Sequence, residues 1–455
     1  MSDIQEPAPA VRHDIAARLD RLPVTALHRW ILVLSALGLW FDIAEIAFSN
    51  ALSAVFSAPP HPVAALPLSL LLASVYAGGA IGAPLIGRLA DRRGRRQALI
   101  LALALLAIAS IAGACSPDLA WLTGFRLISG MALGAFPPLI TAYLSDLLPP
   151  PRRGGWLVIT GAVAVLGAPA MILMMRWLTP LAPLGFEGWR WALLGGGVSA
   201  GIIALLFRLL PESPRWLAAV GREAEAAAIC RRFERSAGGR TERQPAPMPV
   251  ATAASAPALS PPLSRREFRR RLALLGALYF LAPWASAGFP LLSGAVLVAK
   301  GFHTSDSLLY AGLGSFGPSL GAVASALFID RIGRRTVLVA AGGGLALAGL
   351  AFATGTSPVV LVLSGVVFHL INWIQISVLG LYTAELFPTD RRAEASSIAF
   401  AVNRIASMLV PLALLPVLRS EGVATMFAIM TATLVAGMAL AQTFGPRGLA
   451  GRPLA

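Results

Sequence analysis

The feature that constrains this chain most is a repeat at one fixed offset. Asp91-Arg92-Arg93-Gly94-Arg95-Arg96 returns as Asp330-Arg331-Ile332-Gly333-Arg334-Arg335, a displacement of 330 − 91 = 239 residues. Tyr143, Asp146, Pro149 and Arg153 return as Tyr382, Glu385, Pro388 and Arg392 at the same offset. Two different motifs share an offset only if the lengths between them are also kept, so the chain holds two halves of one design. Because both halves are apolar, the duplication predicts a membrane protein built from a parallel repeat.

The composition agrees: 56% of residues are hydrophobic and 13% charged, which in water would leave large apolar patches exposed. The 455 residues hold twelve apolar stretches, near 30–54, 66–87, 97–115, 119–147, 155–177, 190–210, 272–298, 306–329, 336–354, 358–387, 395–418 and 422–443. Each is long enough, at about 20 residues, to cross a bilayer. The expected fold is all-α, with twelve transmembrane helices in two pseudo-symmetric six-helix bundles. The division is a leading segment 1–29, a first bundle 30–217, a central linker 218–270, a second bundle 271–443 and a tail 444–455. The linker opens as an amphipathic helix, Pro214 to Arg235, then becomes a Pro-, Ala- and Ser-rich spacer between Gly238 and Pro262.

The net charge of +15 invites a nucleic-acid reading, which its distribution opposes. Arginines gather at 12–29, 88–96, 152–153, 265–271, 331–335 and 391–392, all on one side of a twelve-span chain. The loops of the other side carry almost no charge. Positive charge retained on the cytoplasmic side explains this and puts both termini there, in a bacterial-type inner membrane. The basic run Arg265–Arg271 suits contact with anionic lipid. No apolar leader precedes the first span, which therefore does the targeting. Cys115 and Cys230 fall on opposite membrane faces, too far apart for a disulfide. No phosphate-cradling glycine loop, metal-ligand cluster or nucleophile constellation occurs, which argues against an enzyme, a metal or any cofactor.

With those features in place the chain resembles the major facilitator superfamily. Gly87 to Arg96 matches its loop signature between the second and third spans. Arg126, Gly130, Gly134, Pro137, Tyr143, Asp146, Pro149, Arg153 and Gly154 follow the sugar-porter pattern, and Pro211-Glu-Ser-Pro-Arg-Trp-Leu217 its signature after the sixth span. Tyr382-Thr-Ala-Glu385-Leu-Phe-Pro388-Thr-Asp-Arg-Arg392 is most similar to the metabolite:proton symporter and organic-ion branch. Departures are Asp146 where glutamate is usual, and Ala326 and Ala393 at repeat-equivalent glycine positions.

The resemblance implies alternating access. It also implies that Asp91, Asp146, Glu212, Asp330 and Glu385 form a cytoplasmic ion-pair gate with Arg95, Arg153, Arg215, Arg334 and Arg392. The alternative is that these charges only cap helices and fix topology. Four charged groups fall inside spans: Asp42, Glu45, Arg126 and Arg404. Each costs about 2.5–3.5 kcal/mol at mid-bilayer unless partnered or wet. The repeat offset sets Leu281, Trp284 and Gly365 opposite Asp42, Glu45 and Arg126, so symmetry does not require these charges. The resemblance implies that Asp42 pairs with Arg126 as a proton-coupling switch with Glu45 beside it; a static helix-fastening pair is the other reading.

For substrate, Arg404 with Asn403 has no acid on its own helix and so suits a carboxylate ligand, or else a carbonyl or Glu45. His369, Asn372, Trp373 and Gln375 in the tenth span make a polar-aromatic set for a small planar acid, although a lone intramembrane His also serves as a packed donor. Tyr76, Tyr279, Trp284 and Tyr310 are of similar standing, and Arg126 is a further expected substrate contact. The sugar-porter tryptophan five residues before the tenth-span glutamate is absent, with Gly380 in its place, which disfavours a hexose. The expected activity is proton-coupled symport of a small aromatic or heterocyclic carboxylate by a monomer. The alternatives are drug or organic-ion efflux, sugar uptake and a non-transporting membrane sensor.

Overall fold

In the computed structural model the described residues are 9–59, 62–181, 183–238, 264–328 and 332–446. Eleven helices among them are long and apolar enough to cross a membrane. They are span 1 (Ala26–Val55), span 2 (Ala65–Arg93), span 3 (Arg95–Ala114), span 4 (Leu119–Leu147), span 5 (Arg153–Leu178) and span 6 (Gly188–Phe207) in the first half. The second half holds span 7 (Arg265–Ala299), span 9 (Arg334–Thr354), span 10 (Pro358–Leu386), span 11 (Glu394–Ser420) and span 12 (Gly422–Phe444). Span 8 completes the twelve as two shorter helices, Thr304–Gly314 and Gly317–Phe328. Exposed side chains such as Ile108, Trp177, Leu347 and Leu363 mark surfaces that face lipid.

Proline explains the interruptions. Spans 5, 7 and 8 each break just before Gly167-Ala-Pro169, Gly288-Phe-Pro290 or Gly317-Pro318. A proline lacks the N–H that would bond the carbonyl four residues earlier, and its ring clashes with that carbonyl. The freed carbonyl then needs another donor, because lipid offers none.

The repeat offset reappears as geometry. A side chain on Gly78 would strike the carbonyl of Leu127, and one on Gly82 that of Met131. Their equivalents Gly317 and Gly321, each 239 residues on, meet the carbonyls of Val366 and Leu370, again 239 on. Spans 2 and 4, and spans 8 and 10, therefore approach at the same backbone positions. Small residues allow this contact, since packing rather than hydrophobic exclusion holds helices together in lipid.

The halves meet through spans 1 and 7, 5 and 8, and 2 and 11. Their cores are joined at one end only. Away from the basic loops, Phe48, Leu52 and Met171 share one apolar cluster with Phe289, Leu292 and Leu414. Toward the basic face the clusters are separate, one around Phe136, Tyr143 and Phe207 and the other around Leu275, Val378 and Tyr382.

The stretch 214–235 differs from expectation. It forms two helices, Pro214–Ala219 and Glu223–Ala237, broken at Gly221 with its φ of 80°. A helix the sequence reading did not foresee, Pro9–Asp20, lies on them. Its Ile15 and Leu19 are buried in the cluster containing Trp216, Cys230 and Phe233. The spacer from 239 to 263 lies outside the described residues.

The glycine contacts give a test. Gly82→Leu drives a side chain into the Met131 backbone, whereas Gly87→Leu extends into open space. We expect the first to destabilise the detergent-solubilised protein by about 1–3 kcal/mol or more, the usual range for overpacking. The second stays within about 0.5 kcal/mol of the parent chain. Equal thermal unfolding of the two variants contradicts the assignment.

Candidate functional site

The centre of the first half is a closed charge cluster. Asp42, Glu45 and Ser49 lie three and four residues apart on one face of span 1, so all three side chains point the same way. Arg126, on span 4, is 2% exposed. It forms an ion pair with Glu45 Oε1, donates to the Glu45 carbonyl at 3.1 Å and donates to Ser49 Oγ at 2.6 Å. Its guanidinium also lies 5.4 Å from the centre of the Phe48 ring. Ser110 of span 3 donates to Glu45 at 3.3 Å. The arginine's partner is therefore Glu45 and not Asp42, which corrects the expected pairing. Asp42 lies one turn nearer the basic face, and span 1 presents Glu45 and Ser49 together to span 4.

Asp42 is 2% exposed, and neither carboxylate oxygen has a hydrogen-bond partner among the described residues. The opposite charge acting on it is Arg404, a half-buried guanidinium on span 11 of the other half. Tyr76 on span 2 lies within electrostatic reach of both guanidinium groups, Arg404 and Arg126.

The polar residues of the second half divide into two sets. Asn403 donates to the Tyr279 carbonyl at 3.4 Å, and Asn372 donates to the Ser286 carbonyl at 3.1 Å. Those carbonyls stand four residues before Pro283 and Pro290, so the two amides take up the acceptors released by the kinks of span 7. Asn372 Oδ1 and Trp284 Nε1 stay buried without partners among the described residues. Gln375 instead lines a cavity of about 30 Å³ within the second bundle, between Leu278, Leu281 and Leu434. His369 packs edge-on against Phe289 at 5.4 Å in an aromatic cluster with Phe368. Trp373 is half-buried beside Gly321.

The signature loops meet on the basic face of the first half. Gly94 has φ 107°, and a side chain there would run into the Glu212 carboxylate. Glu212 in turn accepts from the backbone N–H of Arg96 at 3.0 Å and of Ser213 at 2.9 Å. Trp216 donates to the Asp91 carbonyl at 3.0 Å, and Arg95 reaches Asp146 at 3.8 Å and Asp91 at 3.6 Å. Ser213 donates to Asp146 at 2.8 Å. In the second half Arg334 and Glu385, repeat equivalents of Arg95 and Asp146, pair at 3.0 Å, the longer acid closing the gap. Arg392 Nε finds no hydrogen-bond partner among the described residues, and Asp330 lies outside them.

The sequence reading missed Asp20. It pairs with Arg215, and with Arg153 at 3.9 Å, and so ties the leading helix to two of the gate arginines. No motif marked it. Each ion pair between two described side chains stays within its own half.

Hydrogen bonds between the halves lie only at the far face among the described residues. Asn50 donates to the Pro290 carbonyl and to Ser293 at 2.8 Å, Arg176 to the Ser305 carbonyl at 3.2 Å, and Arg419 to the Val63 carbonyl and Ser57. Asn50 was also missed, although an amide five residues beyond a membrane-embedded acid carries the same cost signal.

Residues 30–450 match the family described as "Sugar (and other) transporter". The chain belongs to that family. It is 30% identical over 406 residues to the putative metabolite transport protein YyaJ of Bacillus subtilis (strain 168), covering 86% of each chain. It is 26% identical over 435 residues to the niacin transporter NiaP of Acinetobacter baylyi, covering 95% of this chain and 97% of that one. Among solved structures it resembles the partially occluded inward-open conformation of the xylose transporter XylE from E. coli. The TM-score is 0.73 at 18% identity, covering 93% of this chain and 99% of that one, a likeness of fold. This family member is a multi-pass membrane transporter and not an enzyme.

The two acids separate in a stability measurement. Arg126→Ala leaves Glu45 buried and unpaired, a loss of about 3–5 kcal/mol. Asp42→Asn removes a charge that the fold does not bond, and we expect a change below about 1 kcal/mol. Thermal unfolding of the purified variants compares them, and equal destabilisation contradicts the division of roles.

Proposed function

We propose that this transporter carries a small organic carboxylate together with a proton, by alternating access. The observation that carries the reading is the unbonded Asp42 carboxylate under the influence of Arg404 from the opposite half. The Glu45–Arg126 pair is satisfied within the first half, so it leaves Arg126 little capacity for a ligand. Arg404 retains that capacity. A carboxylate that takes up the Arg404 guanidinium removes the opposing charge from Asp42, and a proton on Asp42 then restores neutrality. The two loads enter together, and the occupied site crosses without net charge. A sugar makes no such exchange, which is why an organic acid fits this chain better. Trp284 N–H and Asn372 Oδ1 supply the neutral contacts, and Tyr76 lies within electrostatic reach of both guanidinium groups. The niacin transporter among the relatives is consistent with a heterocyclic acid.

The arginine-rich face is the cytoplasmic one in this reading, with the termini, and the structure represents the inward-facing state. Closure at the far face by Asn50, Arg176 and Arg419, with separate cores below, supports this. The loop ion pairs then act as a gate in the outward-facing state, when the basic faces of the two halves approach.

Two measurements test the proposal. In proteoliposomes with an imposed pH gradient, labelled nicotinate or benzoate accumulates and a hexose does not; Asp42→Asn abolishes accumulation while exchange persists. Hexose accumulation, or acid accumulation that survives Asp42→Asn, would falsify it. For orientation, Cys115 is exposed at the far face and Cys230 is buried. A membrane-impermeant maleimide therefore labels intact cells through Cys115, and the label disappears in Cys115→Ala. Labelling that requires permeabilisation reverses the topology.

A further inference from the structure

On the basic face the root of span 7 and the end of span 12 leave a groove of about 410 Å³ between them. Leu274, Ala277, Leu440 and Phe444 make its floor, and Arg270 and Arg271 stand on its rim with Glu267. Helical spacing assembles it. Arg270, Leu274 and Ala277 fall four and three apart on one face of span 7, and Leu440 and Phe444 fall four apart on span 12.

The charge balance of the rim is one-sided. Glu267 is already taken by Arg271 at 2.7 Å, and Arg271 also donates to the Leu386 carbonyl at 2.7 Å. Arg265, Arg266, Arg269 and Arg270 are exposed on the same helix and form no ion pair among the described side chains. A cationic rim thus stands directly over an apolar floor, where the helix passes from water into the apolar stretch of the span.

We propose that this groove seats an anionic phospholipid of the membrane leaflet. The phosphate lies against Arg270 and its neighbouring guanidinium groups, and an acyl chain lies along Leu274, Ala277, Leu440 and Phe444. The arginines select against a zwitterionic headgroup. The apolar floor selects against a free anion, because only a chain covers that surface. The site is distinct from the central charge cluster and shares no residue with it. It sits at the root of the helix that accepts hydrogen bonds from Asn372, Asn403 and Asn50, so an occupied groove steadies a helix that also fastens the far face.

The test is a titration of the full-length, detergent-purified protein, followed by thermal unfolding. Phosphatidylglycerol, phosphatidylcholine and inorganic phosphate are added in separate arms. We expect phosphatidylglycerol alone to raise the unfolding temperature. Arg270→Gln, which leaves the Arg271 contacts in place, weakens its apparent affinity about fivefold, the worth of one arginine beside an anionic surface. Leu440→Trp fills the floor and removes the phosphatidylglycerol response. An equal rise with phosphatidylcholine, a rise reproduced by inorganic phosphate, no rise in any arm, or full affinity in Arg270→Gln overturns the proposal. Arg270 is exposed and does not carry the fold, so that variant keeps the test informative if Leu440→Trp does not fold.

Discussion

The arrangement rests on how one buried guanidinium is satisfied. An isolated charge at mid-bilayer is costly, and Arg126 meets that cost entirely inside its own half, through Glu45, Ser49 and the Phe48 ring. This pair fixes spans 1, 3 and 4 to each other. It also leaves Asp42, one turn away, as a carboxylate with no hydrogen bond among the described residues. A protein that needed only a fastened helix pair would have no use for the second acid.

The second constraint is that the halves share a buried apolar core at one end and keep separate cores at the other. One core runs through both halves at the far face, and two run separately toward the basic face. Rocking requires such a division, since a core continuous along the whole interface would resist it. Among the described residues the ion pairs of the signature loops are distributed in the same way, each inside a half. Asp20 adds a tie from the leading helix to Arg153 and Arg215, so motion of the basic face involves that helix as well.

Much of the fold was legible because apolar length and charge distribution are strong signals in a membrane protein. The repeat offset carried even the contact pattern, since Gly78 and Gly82 recur as Gly317 and Gly321 against equivalent carbonyls. The site was legible only in part. Residue type identified Asp42, Glu45, Arg126 and Arg404, because a charge in a span is conspicuous. Which acid meets Arg126 depends on the level of the guanidinium along span 1, since positions 42 and 45 differ by about one turn in height on the same face, which spacing alone does not resolve. Asn372 and Asn403 stood out as polar, but their work as acceptor-takers for Pro283 and Pro290 required the kink geometry. The leading helix was invisible, since Ile15 and Leu19 are only a short apolar signal in a charged stretch.

The central claim is that a carboxylate ligand and a proton load together, the ligand on Arg404 and the proton on Asp42. It is tested most directly by proton uptake on binding, measured with a pH indicator in weakly buffered detergent solution. Our account predicts about one proton taken up per nicotinate bound by the parent chain, none by Asp42→Asn, and little change in Glu45→Gln. Binding without proton uptake, or uptake that persists in Asp42→Asn, contradicts it.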